Sequence, residues 1–400
     1  MSASDIAGRR FPYQRERPCD PPEILREWHD ESPVNQITTW DGRTTWIATG
    51  SEECRAIFSD HETYRSDPTT PGFPTLSPAD AASKNARLMP MLDPPDHDRL
   101  RRTVQGEFTV RRVNEQRLHT EAIVDELLDT LAGRNPPVDL ITAFAQEVPA
   151  RFTCRLLGVP ITDAPFFNEC LGTRFDAQSE QNSVYASDDR LRAYFEDVVT
   201  ARLTEPHDDL SGRLVCDHVD TGDLTGAEAA AVLHVLLIGG FDTTRNMIAM
   251  ATVLFEGHPD QLAELRADPL LWPTAVEELL RYLAIAQYER RAITADVQIG
   301  GCPMRAGDGV ITALHAACRD PRAFDDPDRF DIHRDRNQHL AFGSGLHQCL
   351  GQPVARMLLL VALPRLFGRF PTLRLALPAD QLKYFEGRTI WGPRELPVTW

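Results

Sequence analysis

Residues 342–351 read FGSGLHQCLG, and an apolar helical pattern follows. A cysteine in such a setting can act as a nucleophile or as a metal ligand, in either case as thiolate. Gly343 and Gly345 permit backbone angles that let a loop fold tightly around Cys349. A helix starting near Gly351 would aim its unpaired amides and the positive end of its dipole at the sulfur, lowering its pKa. A nucleophile also needs a base, and His347 lies two residues away in a direction that spacing does not fix. Three other stretches combine complementary groups. Asp242 and Thr243, within GGFDTT from 239 to 244, set an acid beside an alcohol. His97 and Arg101, within HDRLR, stand at i and i+4, so two cation-capable groups share a helix face. Glu278 and Arg281, within ELLR, stand at i and i+3 and can meet as an ion pair.

These groups need helices to hold them. The clearest helical pattern runs from Asp223 to about Glu256 and opens with the capping box Thr225-Gly-Ala-Glu228. At 1.5 Å per residue such a helix is roughly 45 Å long, enough to cross a domain. Two adjacent glycines, 239 and 240, interrupt it. Each costs about 1 kcal/mol against alanine, so a function should offset them. Further helices are predicted over 97–107, 111–132, 139–157, 188–204, 258–267, 271–283 and 351–369. Strand-like patches are short: 44–50, 292–300 and 308–314. Loops rich in proline and glycine occupy 66–95. No repeat or composition shift divides the chain, so residues 1–400 read as one mainly α unit with small β-sheets.

The chain of 400 residues is 42% hydrophobic and 25% charged, enough apolar material for a large core. Its net charge of −17 argues against nucleic-acid binding, which calls for a basic surplus. The N-terminus carries no apolar signal region, and the apolar runs 229–241 and 357–363 are shorter than the roughly 20 residues that span a bilayer. Neither export nor a membrane is therefore expected. Eight scattered cysteines with no C-x-x-C pair argue against a disulfide framework or structural zinc and point to a reducing cytoplasm.

The complete pattern F-G-x-G-x-H-x-C-x-G, from Phe342 to Gly351, resembles the haem-binding loop of the cytochrome P-450 family, the haem-thiolate monooxygenases. The resemblance runs from about Pro12 to Trp400 and includes MLDPPDHDRLRR, CRDPRAF and FDDPDRFDIHRD. It implies a mainly α fold in which a long central helix passes over haem and the cysteine loop lies below it. Cys349 then ligates the iron, with Phe342, His347 and Gly351 completing the loop. Asp242 and Thr243 match the family's acid–alcohol pair, Thr243 facing oxygen and Asp242 relaying protons, while the missing side chains of Gly239 and Gly240 leave room for dioxygen. His97, Arg101, Arg291 and His347 match propionate-binding positions. Arg290 adjoins Arg291, and spacing to Ile299-Gly300 favours Arg291. Glu278, Arg281 and Arg329 match a structural triad beneath the haem. The absence of C-x-x-C-H implies non-covalent haem b. By the same resemblance, the pocket walls are Phe73, Leu76, Leu88, Met89, Met91, the helices around 166–195, Leu236, Gly240, Ile285, Ala286 and Ile390.

The activity implied is insertion of one atom of dioxygen into a C–H bond of a medium-to-large hydrophobic molecule. Natural-product biosynthesis and xenobiotic oxidation are the settings, since GFPTLS at 72–77 looks like actinobacterial members. The chain has no G-x-G-x-x-G and no flavin or iron–sulfur motif, so electrons from NAD(P)H would arrive through a ferredoxin and its reductase. Two alternatives are a nitric-oxide reductase of the same fold, fed directly by NAD(P)H, and a non-catalytic gas sensor. The intact Asp242–Thr243 pair counts against both.

Overall fold

A computed structural model describes residues 11–77, 80–81, 87–175 and 179–400. Part of the N-terminal stretch read for a signal, and parts of the pocket segments 71–91 and 166–195, lie outside them. The principal helices before the centre of the chain are α1 (Glu23–Glu31), α2 (Ser51–Ser59), α3 (Asp96–Val104), α4 (Arg117–Ala132), α5 (Glu147–Leu157), α6 (Ala164–Phe175) and α7 (Gln181–Thr204). After them come α8 (Gly226–Glu256), α9 (Pro259–Ala267), α10 (Trp272–Leu283) and α11 (Gln352–Arg369).

Helix α8 is the axle of the molecule. Its capping box forms as predicted: the Glu228 amide donates to Thr225 Oγ1 at 3.2 Å, and the Thr225 amide donates to Glu228 Oε2 at 2.8 Å. Helices α5, α7, α10 and α11 pack around it, and most of its length is buried. The apolar run at 229–241 is thus part of a 31-residue helix that is, by length and composition, long enough to cross a membrane. Its position is that of a core helix. Elsewhere the boundaries shift. The helix expected over 111–132 divides at Gln116 into Val110–Glu115 and α4, and that expected over 139–157 begins with a π-turn at Ile141–Ala145 before α5. Helices α1 and α2 were not foreseen, and neither has a side-chain cap at its start to announce it.

The main sheet joins β1 (Val34–Thr38), β2 (Thr44–Ala48), β3 (Tyr64–Arg65), β4 (Glu289–Ile293) and β5 (Gly309–Thr312) in the order β1-β2-β5-β4-β3. Only β2 and β5 run parallel. The single strand expected over 292–300 is two: Ala292 and Ile293 end β4, while Val297–Ile299 pairs with Cys302–Met304 as a separate hairpin.

Asp320 binds α1 and the start of α2 to the loop beyond β5. It accepts from the Ser51 amide at 2.8 Å and from Arg322, and its Oδ1 lies 3.2 Å from His29 Nε2. Burial alone would raise its carboxyl, but these donors outweigh burial and hold it well below the usual carboxylate range. A depressed carboxylate stabilises the fold fully above its ordinary pKa, near 4, and the benefit is lost as pH falls below that value. Asp320→Asn should therefore lower stability by about 3 kcal/mol in urea titrations at pH 7, with a gap that narrows below about pH 4.

Candidate active site

The cysteine loop is shaped by its glycines. Gly343 and Gly345 have φ of +66° and +69°, and a Cβ at 345 would lie 2.2 Å from the Phe58 carbonyl oxygen of α2. The Cys349 amide donates to Phe342 O at 2.9 Å and closes the loop. Gly351 caps α11, where a Cβ would make ordinary contact with Cys349 Sγ at 3.9 Å. The sulfur is enclosed by protein yet accessible, the condition of a group that faces an internal cleft. Burial pushes the Cys349 thiol up; the amides of Gly351 and Gln352 and the charges of Arg101 and Arg356 pull it down without reversing the shift. The helix start thus acts in the direction expected but does not outweigh burial. Metal coordination, which deprotonates a thiol outright, would secure the thiolate.

Cation-capable groups converge beside the loop. His97 and Arg101 share one face of α3, and the His97 and His347 ring centroids are 4.3 Å apart. Arg101 donates to Gln348 O at 2.7 Å. Arg291, 6% exposed on β4, lies over the Phe58 ring. Among the described residues both His347 ring nitrogens are buried without a partner, and burial together with Arg291, His97 and Arg101 holds that imidazole down at about 2. Among the described residues neither Arg101 nor His347 has an ion-pair partner, while Asp98 and Glu289, near His97 and Arg291, are about half-exposed. Such a cluster is completed by a ligand with anionic groups. The two neighbouring arginines divide as strand alternation requires. Arg291 lies over Phe58, where its charge lowers the His347 pKa, whereas Arg290 pairs with Asp80 and covers the Phe73 ring. A cavity of about 130 Å³ separates them from Ser66 and Met91. The larger cavity of about 240 Å³, under α1 beside Arg319, touches none of these groups.

Above the loop, α8 presents Gly239, where a Cβ would meet nothing within 4 Å. Of the two glycines expected to leave this space, Gly239 does and Gly240 does not. A Cβ there would lie 2.5 Å from Thr153 Oγ1, so Gly240 serves the close packing of α8 on α5. Thr243 Oγ1 donates to Gly239 O at 2.9 Å, the back-bond common for a threonine inside a helix. Its lone pairs remain as acceptors. Asp242 Oδ1 lies 3.4 Å from Arg245 Nη1, and its Oδ2 is buried without a partner among the described residues. Asn246 donates to Asp242 O at 2.9 Å and accepts from Arg245 at 2.8 Å.

The expected triad needs one substitution. Glu278 and Arg281 are 0% exposed and pair at 2.7 and 2.8 Å. The second arginine on Glu278 is Arg334, at 3.1 Å, and not Arg329. Arg329 turns outward to Asp331 and contributes only its carbonyl oxygen, because its turn presents the backbone to Arg281 and Arg334. Arg334 lies within the phrase FDIHRD singled out in the sequence, five residues beyond Arg329.

The expected pocket walls fall in apolar clusters. Leu88, Met89, Met91 and Leu236 share one, while Ile285, Ala286 and Ile390 share another, with Ala286 and Ile390 bridged as isolated β partners. Leu76 instead joins Tyr288 and Phe11.

Haem has a soft-ligand iron and two carboxylates, and these residues fit it. The accessible sulfur, Arg101 and the hydrogen-bonding nitrogens of His347, and the bare Gly239 face supply a ligand, anion partners and clearance.

Comparison with known proteins agrees. The family model for cytochrome P450 matches residues 207–375. The chain is 41% identical over 393 residues to a vitamin D3 dihydroxylase of Streptomyces griseolus, covering 98% of this chain and 96% of the relative. It is 39% identical over 391 residues to a pentalenic acid synthase of Streptomyces avermitilis, covering 98% and 97%. The crystal structure of mycinamicin VIII C21 methyl hydroxylase from Micromonospora griseorubida, bound to mycinamicin VIII, superposes with a TM-score of 0.93 at 38% identity, covering 98% of this chain and 100% of that one.

Proposed function

This chain belongs to the cytochrome P450 family, and from that premise we propose that it hydroxylates a medium-to-large hydrophobic natural product or foreign compound. Its class is that of the haem-thiolate monooxygenases. Haem, held through Cys349 Sγ, supplies dioxygen activation and oxygen insertion. His97, Arg101, Arg291 and His347 hold the propionates. Thr243 Oγ1, which donates to Gly239 O, keeps lone pairs that could accept a hydrogen bond in the cleft, and it could donate one there on leaving Gly239 O. Asp242 receives protons on Oδ2 and passes them to Thr243, with Arg245 as its counter-ion. Phe73, Leu88, Met89, Leu236, Ile285, Ala286 and Ile390 exclude water and hold the substrate. The chain is one haem domain that works in the cytoplasm and takes electrons from an external ferredoxin and its reductase.

The observation that carries this reading is His347, orphaned on both nitrogens among three further cation-capable groups, two residues from an accessible cysteine. Ferrous protein under carbon monoxide should give the red-shifted Soret band of thiolate ligation, and Cys349→His should move it to the position of histidine ligation. A wild-type band already at that position would refute the assignment. Turnover of any substrate with a surrogate ferredoxin system would exclude the sensor alternative.

A further inference from the structure

Glu277 precedes the buried Glu278 on α10 and faces a different partner. Its two oxygens accept from Arg356 Nε at 2.6 Å and Nη2 at 2.9 Å, a bidentate pair between α10 and α11. A third donor fixes the carboxylate. His339 Nδ1 accepts from the Ala341 amide at 3.2 Å, so Nε2 carries the hydrogen and donates to Glu277 Oε2 at 3.2 Å. Arg356 is held further by Gln352 at 2.8 Å. Its guanidinium then lies 4.8 Å from the centre of the Phe342 ring. Phe342 is the residue whose carbonyl receives the Cys349 amide. A chain of contacts therefore runs from Glu277 through Arg356 and Phe342 to the backbone of Cys349. Burial would raise the Glu277 carboxyl, but His339 and Arg356 hold it down at about 2, so the pair stays charged. Arg356 is also among the cations that act on Cys349.

We propose that Glu277 and Arg356 are positioning residues that set the charge felt by the Cys349 sulfur, and with it the ease of reducing the iron. Arg356 is the cation, braced against Phe342; Glu277 orients it and offsets part of its field. Reduction adds one electron to the haem–thiolate unit and transfers no atom. A nearby positive charge favours the product, and a nearby negative charge opposes it. The proposal rests on haem ligation by Cys349.

Redox titration of the holoenzyme tests it, with dithionite as reductant and mediator dyes to set the poise. Arg356→Gln should lower the ferrous-to-ferric ratio at fixed poise by about threefold, and Glu277→Gln should raise it by about threefold. The double variant should return close to wild type, and Arg356→Lys should keep most of the charge effect while losing the fork and the stacking. Opposite shifts are a signature that mere loosening of the loop cannot produce. Shifts of the same sign in both single variants, or no shift in either, overturn the proposal. If Arg356→Gln does not accumulate, Glu277→Gln decides alone, and an unchanged or lowered ratio overturns it. The carbon monoxide difference spectrum of each variant separates the two readings. A thiolate-type band with unmoved potentials defeats only this proposal, whereas a histidine-type band in the wild type defeats the ligation on which it rests.

Discussion

Arg334→Ala is expected to lower stability by about 3–5 kcal/mol, whereas Arg329→Ala should remain within about 0.5 kcal/mol of wild type. Glu278 has no exposed surface and takes five donors: Arg281 Nε and Nη2, Arg334 Nε, the Asp331 amide and Asn337 Nδ2. Removing Arg334 leaves part of a buried carboxylate charge unmatched. It also frees the carbonyls of Asp325, Asp326 and Arg329, which Arg334 gathers into one turn. The Arg329 side chain is 67% exposed and reaches only Asp331, a surface contact of small value. A domain of typical stability, about 5–15 kcal/mol, survives the second change and is compromised by the first. Urea titrations of the two variants, with haem retention as a second readout, distinguish them. Equal losses would return the triad to Arg329.

The second large effect concerns chemistry rather than folding. Thr243→Ala should keep haem and substrate binding while product formed per NAD(P)H falls about tenfold or more, the missing electrons appearing as hydrogen peroxide. The reason lies in α8. Thr243 offers the hydroxyl next to the bare Gly239 face, one residue from the unpartnered Oδ2 of Asp242. Alanine removes the hydroxyl and the back-bond to Gly239 O, a stability loss of only about 1 kcal/mol. Thr243→Ser keeps both and should retain coupling. Measured peroxide and product yields decide the question, and unchanged coupling in the alanine variant would remove Thr243 from the proton path.

How far the chain could be read in advance depended on the range of the interactions. The capping box, the long core helix, the i and i+3 pair Glu278–Arg281 and the α3 pair His97–Arg101 were all legible, since each is written within a few residues. So was the shape of the cysteine loop, because two glycines with positive φ and a cysteine before a helix are a local geometric requirement. What remained hidden was set by contacts distant along the chain. Arg334 replaces Arg329 at Glu278 because a turn some fifty residues away presents one side chain inward and the other outward. Gly240 serves α5 and Gly239 serves the cleft because Thr153 packs on one side of α8 only. Burial reverses the shift expected at Cys349, and the Glu277–Arg356–Phe342 chain exists only once α10 and α11 lie side by side. Local sequence therefore determined the cysteine loop and the helices that carry the acid and the alcohol. Tertiary packing alone decided which charges meet, since a side chain's partner and its dielectric surroundings are properties of the folded neighbourhood and not of spacing along the chain.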